Sequence, residues 1–246
     1  MPDATVSLTL TGTGAAQSAA LRRTATVITR ALRMDTGAMV RLAVAGEDQT
    51  DLLVSTPLGC VVAERIPAVP DDPADDGAVV SADPLPGLLT AAAGAVGPDG
   101  PDGSDGDAAL PVPGARMDML WPGTTPPASG WTVVDTVPGA DVRDLFAGME
   151  READLHSGPA GLPPSLLDQP LLRLTSPTQT GIIEIPGSVI AALGALGLVT
   201  APTRAALREY DLVRVSVTAS WIRLDALYGS VYLPRPGGLA RIPTAR

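Results

Sequence analysis

The stretch from Leu212 to Leu233 constrains the fold most strongly, because apolar and polar residues alternate along it with the two-residue period of a β-strand. Val213, Val215 and Val217 fall on one face, and the alternation resumes after a turn around Gly229. The pattern predicts a three-stranded antiparallel meander with one buried face.

The segment from Met39 to Arg65 repeats this pattern when the connection between its first two strands is taken to be three residues longer than in the late segment. The identical positions are Val40, Arg41, Val44, Gly59, Val61 and Arg65, which match Val213, Arg214, Val217, Gly229, Val231 and Arg235. A repeated architecture governs the fold. The chain is therefore predicted to be an α+β protein with two similar halves, each a helix plus antiparallel strands ending in a hairpin or meander. Two unrelated hairpins with similar strand chemistry are the alternative.

Composition divides the 246-residue chain into three parts. Between residues 67 and 115, 17 of 49 residues are Pro or Gly, and the segment holds nine Asp and no basic residue. Such a composition is typical of a spacer that does not fold alone. The predicted organisation is an N-terminal α+β half at 1–66, an acidic Pro/Gly-rich linker at 67–115, and a C-terminal α+β half at 116–246.

Several catalytic classes are excluded by missing residue types. All 17 basic residues are Arg, so the chain has no lysine for a Schiff base or a P-loop. A single histidine, His156, and a single cysteine, Cys60, exclude a multi-histidine metal site and an internal disulfide. We therefore predict no cofactor, no metal and no catalytic residue set.

The net charge of −10 resides mostly in the linker, and the rest of the chain carries 17 Arg against 18 acids. This near-neutral balance argues against a nucleic-acid partner. The N-terminus lacks a secretory signal, and the uncharged run from Ile185 to Thr203 is interrupted by Pro and Gly, which favours a buried helix over a membrane span. The expected location is cytoplasmic, with no membrane contact.

A helix from about Ala15 to Leu32 carries four arginines away from its apolar stripe, with no acid nearby: Arg22, Arg23, Arg30 and Arg33. A solvated face is the ordinary interpretation of such a pattern. A contact with an anion or with nucleic acid is the sharper alternative.

The second half contains three ordered motifs: residues 131–135 (WTVVD), 166–169 (LLDQ), and 220–226 (SWIRLDA) followed by 228–233 (YGSVYL). In this order they resemble a family of conserved actinobacterial proteins of unknown function. The resemblance implies no catalytic or binding residue.

The polar face of the final meander is the predicted binding surface. It places Arg and aromatic residues, which are enriched at binding hot spots, on one side of the sheet. Its residues are Arg214, Trp221, Arg223, Asp225 and Tyr232. The corresponding face of the early copy is predicted to hold Arg41, Leu53 and Val62. A sheet covered on both faces is the alternative.

The missing catalytic sets favour a non-catalytic binding or protein-interaction protein, whose partner is an unknown protein or a small molecule. The alternative is a small-molecule enzyme, such as a hydrolase, with carboxylates and Arg meeting between the two halves. If the polar face of the late meander is a contact surface, we expect the side chains of Trp221 and Arg223 to be exposed to solvent. If the sheet is covered on both faces, we expect both side chains to be buried.

Overall fold

Both meanders predicted from the alternation are present in the computed structural model, which describes residues 6–96, 109–156, 164–175 and 182–235. The early meander consists of β2 (Met39–Val44), β3 (Thr50–Ser55) and β4 (Val61–Ile66). The late meander consists of β11 (Leu212–Val217), β12 (Trp221–Ala226) and β13 (Gly229–Pro234). All neighbouring strands within them are antiparallel, so the α+β class and the repeated halves are confirmed.

The chain divides into two units, residues 1–57 with 61–124 and residues 58–60 with 125–246. The remaining strands and helices of the first unit are β1 (Val6–Leu10), α1 (Ala15–Met34), β5 (Ala68–Pro70), β6 (Val79–Ser81), α2 (Leu85–Ala95) and β7 (Ala109–Val112). Its strands follow the orders β6-β2-β3-β4 and β5-β1-β7.

Helix α1 forms because its apolar residues recur at helical spacing. Leu21, Ala25 and Ile28 are buried, and α1 packs against α2 and the early meander. The helix begins after Gly14, whose φ of +113° disfavours other residues. These contacts leave the arginine-rich side of α1 away from the core.

The predicted linker is not confirmed over its described part. Residues 68–96 and 109–112 form β5, β6, α2 and β7, and β5 and β7 pair with either side of β1. Val79, Leu85 and Leu89 are each at most 1% exposed, so this segment contributes to the core of the first unit. Its strands have only three or four residues, too few to stand out from the surrounding Pro and Gly. Residues 97–108 lie outside the described residues.

Besides the late meander, the second unit contains three further strands and three α-helices among its described residues. They are β8 (Thr132–Pro138), α3 (Gly139–His156), α4 (Pro164–Asp168), β9 (Pro170–Thr175), β10 (Ile182–Pro186) and α5 (Gly187–Ala195). The strand order is β13-β12-β11-β8, and β9 pairs with β10 in a separate hairpin. Helix α3 packs on α5, with Val142 and Met149 buried.

Helix α5 is the buried helix predicted within residues 185–203. Its residues from Gly187 to Leu193 are all buried. Among the described helices, none combines the length and the apolar character that crossing a bilayer would require.

The sequence also predicts a strand at Arg116–Trp121, but the structure has a 3₁₀ turn over Asp118–Leu120. There the side chain of Asp118 accepts a hydrogen bond from the backbone N–H of Val79 at 2.8 Å. The side chain of His156 lies outside the described residues.

Candidate functional site

The late meander is held in register by two short turns. Between β11 and β12, the hydroxyl oxygen of Thr218 accepts from the backbone N–H of Trp221 at 3.1 Å, and the Thr218 N–H donates to the Trp221 carbonyl at 2.9 Å. Between β12 and β13, Ala226 pairs with Gly229, whose φ of +143° is rarely adopted by other residues. These turns fix which side chains stand beside one another on each face.

The register brings the predicted polar residues together. Arg214 lies opposite Asp225, which lies opposite Ser230 on the third strand, and Arg223 lies opposite Tyr232. Cross-strand neighbours on one face have Cβ atoms about 5 Å apart, which is close enough for direct contact. We call this group of side chains, together with Trp131, the polar cluster.

Asp225 is the centre of the polar cluster's hydrogen bonds. Its Oδ1 accepts from Arg223 Nε at 2.5 Å and from Ser230 Oγ at 2.7 Å, and its Oδ2 accepts from Arg214 Nη2 at 3.1 Å. One carboxylate thus orients two guanidinium groups. Charge-assisted hydrogen bonds of this kind are stronger than neutral ones and give the cluster a fixed geometry.

Arg223 also contacts two aromatic rings. Its guanidinium carbon lies 5.6 Å from the ring centroid of Trp131 and 5.8 Å from that of Tyr232. The two rings meet edge to face at 5.7 Å, and Trp131 Nε1 donates to the Pro127 carbonyl at 3.0 Å. Each distance lies within the range of a favourable cation–π or aromatic contact.

The predicted binding residues differ in solvent exposure. The side chains of Arg214, Arg223 and Asp225 are 53%, 25% and 14% exposed, whereas Trp221 and Tyr232 are buried at 4% and 7%. The two arginines are therefore partly accessible to solvent, whereas the Trp221 side chain is buried although it alternates onto the same face as Arg223. Arg223 retains the exposure that the contact-surface interpretation requires, and Trp221 does not.

Two residues of this surface were not identified from the sequence. β8 pairs with β11 and brings Val133 opposite Ser216, and Trp131 directly precedes that strand. Val133 is 53% exposed beside the polar cluster. The pairing joins segments about 80 residues apart in the chain, so no local pattern of apolar and polar residues predicts it.

The early meander shows no equivalent surface. Arg41 lies opposite Leu53, which lies opposite Ala63, so the expectation that Val62 shares this face is wrong by one position. Leu53 and Ala63 are both buried. The two halves therefore share strand architecture but differ in what they expose.

An ion pair fixes helix α3 near the start of β11. Arg143 donates to both carboxylate oxygens of Asp211 at 2.9 and 2.8 Å, and its Nη1 also donates to the Val199 carbonyl. The hydrogen bond from Arg143 lowers the pKa of the Asp211 carboxyl below its usual value of 3.8. This pair supports the sheet that carries the polar cluster.

An apolar groove of about 330 Å³ lies elsewhere on the second unit, between the β9–β10 hairpin and the late meander. Its lining includes the apolar Ile182, Ile222 and Leu233 and the charged Glu184 and Arg235. Ile222 and Leu233 face away from the polar cluster, because they alternate with Arg223 and Tyr232 along their strands. The second unit thus offers two chemically different surfaces.

The described residues contain no group of three or more His, Cys, Asp or Glu positioned to hold a metal ion. The polar cluster has one carboxylate and two guanidinium groups that already pair with it. The cluster therefore presents charged and aromatic side chains.

Comparison with protein families supports part of the resemblance inferred from the sequence. Residues 126–238 match a domain of unknown function (DUF8185), which covers most of the second unit. No curated protein matches the chain in sequence.

Comparison with solved structures identifies sliding clamps as structural neighbours. The Caulobacter crescentus beta sliding clamp has a TM-score of 0.54 at 13% identity over 94% of this chain. The clamps of Pseudomonas aeruginosa and Bacillus subtilis have TM-scores of 0.51 and 0.50 at 13% and 12% identity, over 97% and 98% of the chain. The aligned parts are 64%, 66% and 69% of the respective clamps, so the chain spans roughly two thirds of their length. At this identity the likeness concerns the fold alone: the chain has a sliding-clamp-like fold.

Proposed function

We propose that this protein is a non-catalytic protein-interaction protein that binds its partner through the polar cluster of the second unit. The observation that carries the proposal is the contact of Arg223 with both the Trp131 and the Tyr232 ring, on the same face as the exposed Arg214. Trp, Tyr and Arg are the residues most enriched at energetic hot spots of protein interfaces.

The preorganisation of the cluster supports this proposal. Asp225 accepts hydrogen bonds from three side chains, so the arginines are oriented before a partner arrives and less side-chain entropy is lost on binding. A network in which one carboxylate is already shared between two guanidinium groups is a poor general base, because its lone pairs are engaged. Both features favour recognition over catalysis.

The chemistry of the partner follows from the exposed side chains. Val133 supplies apolar area and Arg214 supplies a positive charge at the edge of the cluster. A protein segment with an apolar side chain next to an Asp or Glu would complement both. The sliding-clamp-like fold also supports an interaction role.

A photo-crosslinking experiment tests the proposal in the cells that produce the protein. A crosslinkable residue at position 133 should capture a defined partner, and the Arg214→Glu substitution should abolish the capture by reversing the charge beside it. Ile182, which is 62% exposed at the apolar groove, is the matched control position.

The captured partner is then purified and titrated against the wild type and Trp131→Ala. Loss of the ring should weaken binding at least about tenfold, as expected for a hot-spot residue that contributes 1.4 kcal/mol or more. Capture from position 182 but not 133, or an unchanged affinity of Trp131→Ala, would contradict binding through the polar cluster.

A further inference from the structure

The sheet face that carries the polar cluster also exposes apolar side chains toward β8. Leu212, Arg214 and Ser216 share this face, because they occupy alternate positions along β11. Val133 of β8 lies opposite Ser216 and therefore stands on the same side of the sheet. Leu212 is 45% exposed and Val133 is 53% exposed. We call the three exposed side chains, Leu212, Arg214 and Val133, the edge row.

The edge row has the order apolar, basic, apolar. Same-face neighbours on a strand are about 6.7 Å apart, so Arg214 lies midway between Leu212 and the position of Ser216, beside which Val133 stands. The two apolar side chains are thus separated by about 13 Å along the strand direction. A partner that contacts the whole row must place two apolar groups at this separation and a hydrogen-bond acceptor between them.

The charge of the polar cluster favours an acidic acceptor. The guanidinium groups of Arg214 and Arg223 share the carboxylate of Asp225, which leaves one positive charge in excess. Arg214 Nε and Nη2 both donate to Asp225 Oδ2, at 3.3 and 3.1 Å, so Nη1 has no acceptor among the described residues. A carboxylate from a partner would bind Arg214 through charge-assisted hydrogen bonds.

The outer edge of β8 is a poor template for an added strand. β8 ends the strand order β13-β12-β11-β8. The Thr136 N–H donates to the side chain of Asp135 at 2.8 Å, and Pro138 has no N–H. A register shift between Val215 and Ser216 also makes the pairing with β8 irregular. Each of these features interrupts the regular backbone groups that a further strand would need.

A segment that lies on the face of the sheet must satisfy its own backbone hydrogen bonds. An extended segment cannot do so there, because the strands beneath it bond to one another within the sheet. A helix bonds its own N–H and C=O groups and can pack an apolar stripe on a sheet. Helical residues seven or eight positions apart lie on one side at a distance of about 10 to 12 Å, close to the spacing of the edge row.

We propose that the partner presents an amphipathic α-helix to the edge row. Two apolar residues of this helix, about seven or eight positions apart, contact Leu212 and Val133, and an Asp or Glu between them contacts Arg214. Tyr210, which is 59% exposed and precedes Leu212 by two residues, adds apolar area at that end. This inference rests on the proposed function, to which it adds the conformation and the residue spacing of the bound segment.

Crosslink mapping measures that conformation. The photoreactive residue p-benzoylphenylalanine is introduced separately at positions 133 and 212 of the full chain, in the cells that produce the protein. Mass spectrometry then identifies the partner residue that each position captures. A helical segment should give captured residues about seven or eight positions apart, whereas an extended segment should give residues about four positions apart.

The result separates this inference from the proposed function. A spacing of about four positions, or capture from position 133 without capture from position 212, would overturn the helical partner and leave the proposed function standing. An absence of capture from position 133 would contradict the proposed function, and the inference would fall with it.

A synthetic peptide that covers the mapped segment tests the helix directly. Its affinity for the full chain is measured by fluorescence anisotropy after a central residue, on the side away from the captured residues, is replaced by Pro or by Ala as the matched control. The Pro peptide should bind at least about tenfold more weakly than the Ala peptide, because proline breaks a helix. Equal affinities of the two peptides would refute a helical segment.

The Leu212→Ser variant tests the apolar contact from the side of this protein. It should bind the Ala peptide at least about fivefold more weakly than the wild type. Val44→Ser is the matched control, because Val44 is 41% exposed on the early meander of the first unit, and its affinity should stay within about twofold. Both positions are exposed, so both variants should melt like the wild type. An unchanged affinity of Leu212→Ser would exclude the edge row as the site of the helix.

Discussion

The carboxyl group of Glu64 should make the stability of this protein fall as the pH rises from 5 to 8. Glu64 lies in β4 and is fully buried, with Oε2 accepting from Arg23 Nε at 3.1 Å and from Thr24 Oγ1 at 3.4 Å. Its Oε1 has no hydrogen-bond partner among the described residues. Burial raises the pKa of this carboxyl from 4.5 to about 7, although the Arg23 charge opposes the change.

The sign of the effect follows from the two pKa values. The unfolded chain releases the Glu64 proton near pH 4.5, whereas the folded protein retains it until about pH 7. The contribution to stability is therefore greatest below pH 4.5, decreases between pH 4.5 and 7, and is constant above that. One pKa unit corresponds to about 1.36 kcal/mol, so stability should fall by about 2.5 kcal/mol between pH 5 and 8.

The Glu64→Gln variant isolates this contribution, because glutamine does not titrate. Urea unfolding followed by far-UV circular dichroism gives the free energy of unfolding of both proteins at pH 5, 6, 7 and 8. The variant should gain about 2.5 kcal/mol relative to the wild type across this range. The exposed Glu150→Gln serves as control and should change by no more than about 0.5 kcal/mol. A difference between Glu64→Gln and wild type that stays constant from pH 5 to 8 would refute the reasoning.

Three further predictions concern the stability of the two units. In Gly194→Ala, the added Cβ would collide with the ring of Phe146. Helices α3 and α5 must then separate, and thermal unfolding should show a net loss of about 1 to 2 kcal/mol in stability. Gly94→Ala in α2 meets open space and should instead gain up to about 1 kcal/mol, because alanine favours the helix. Asp211→Asn removes the negative charge that pairs with Arg143, so the variant should lose about 1 to 2 kcal/mol of folding stability at pH 7. Because the folded pKa of Asp211 is lowered, this cost should shrink as the pH falls below 3.8; a cost independent of pH would contradict it.

Alternation predicted the two meanders because a strand's period is local and one face of each sheet is buried. Val213, Val215 and Val217 are all at most 1% exposed, as their spacing indicated. Helical spacing predicted α1 for the same reason. These elements could be derived from the sequence because each signal is contained within about 20 residues.

Composition predicted a spacer at residues 67–115 because it averages over short elements, and the described strands of this segment have only three or four residues. Val79 and Val80 lie in a strand of three residues, and their burial depends on pairing with β2, some 40 residues earlier. The same limit explains why Trp131 was missed as a member of the polar cluster. Its contact with Arg223 depends on the pairing of β8 with β11, which no local pattern specifies.

The sequence gives the number of charges, but only the fold shows which of them are paired. Arg23 is balanced by Glu64, and Arg214 and Arg223 share Asp225, so these guanidinium groups are fixed by the fold. Arg22 and Arg33 lie on a helix without any acid. Replacing an arginine that balances a buried carboxylate should lower the stability of the fold, whereas replacing an exposed arginine should leave it nearly unchanged. The free energies of unfolding of Arg23→Gln and Arg33→Gln are therefore compared at pH 8. Arg23→Gln should lose at least about 1 kcal/mol, because it leaves the buried Glu64 charge uncompensated. Arg33→Gln should remain within about 0.5 kcal/mol of the wild type.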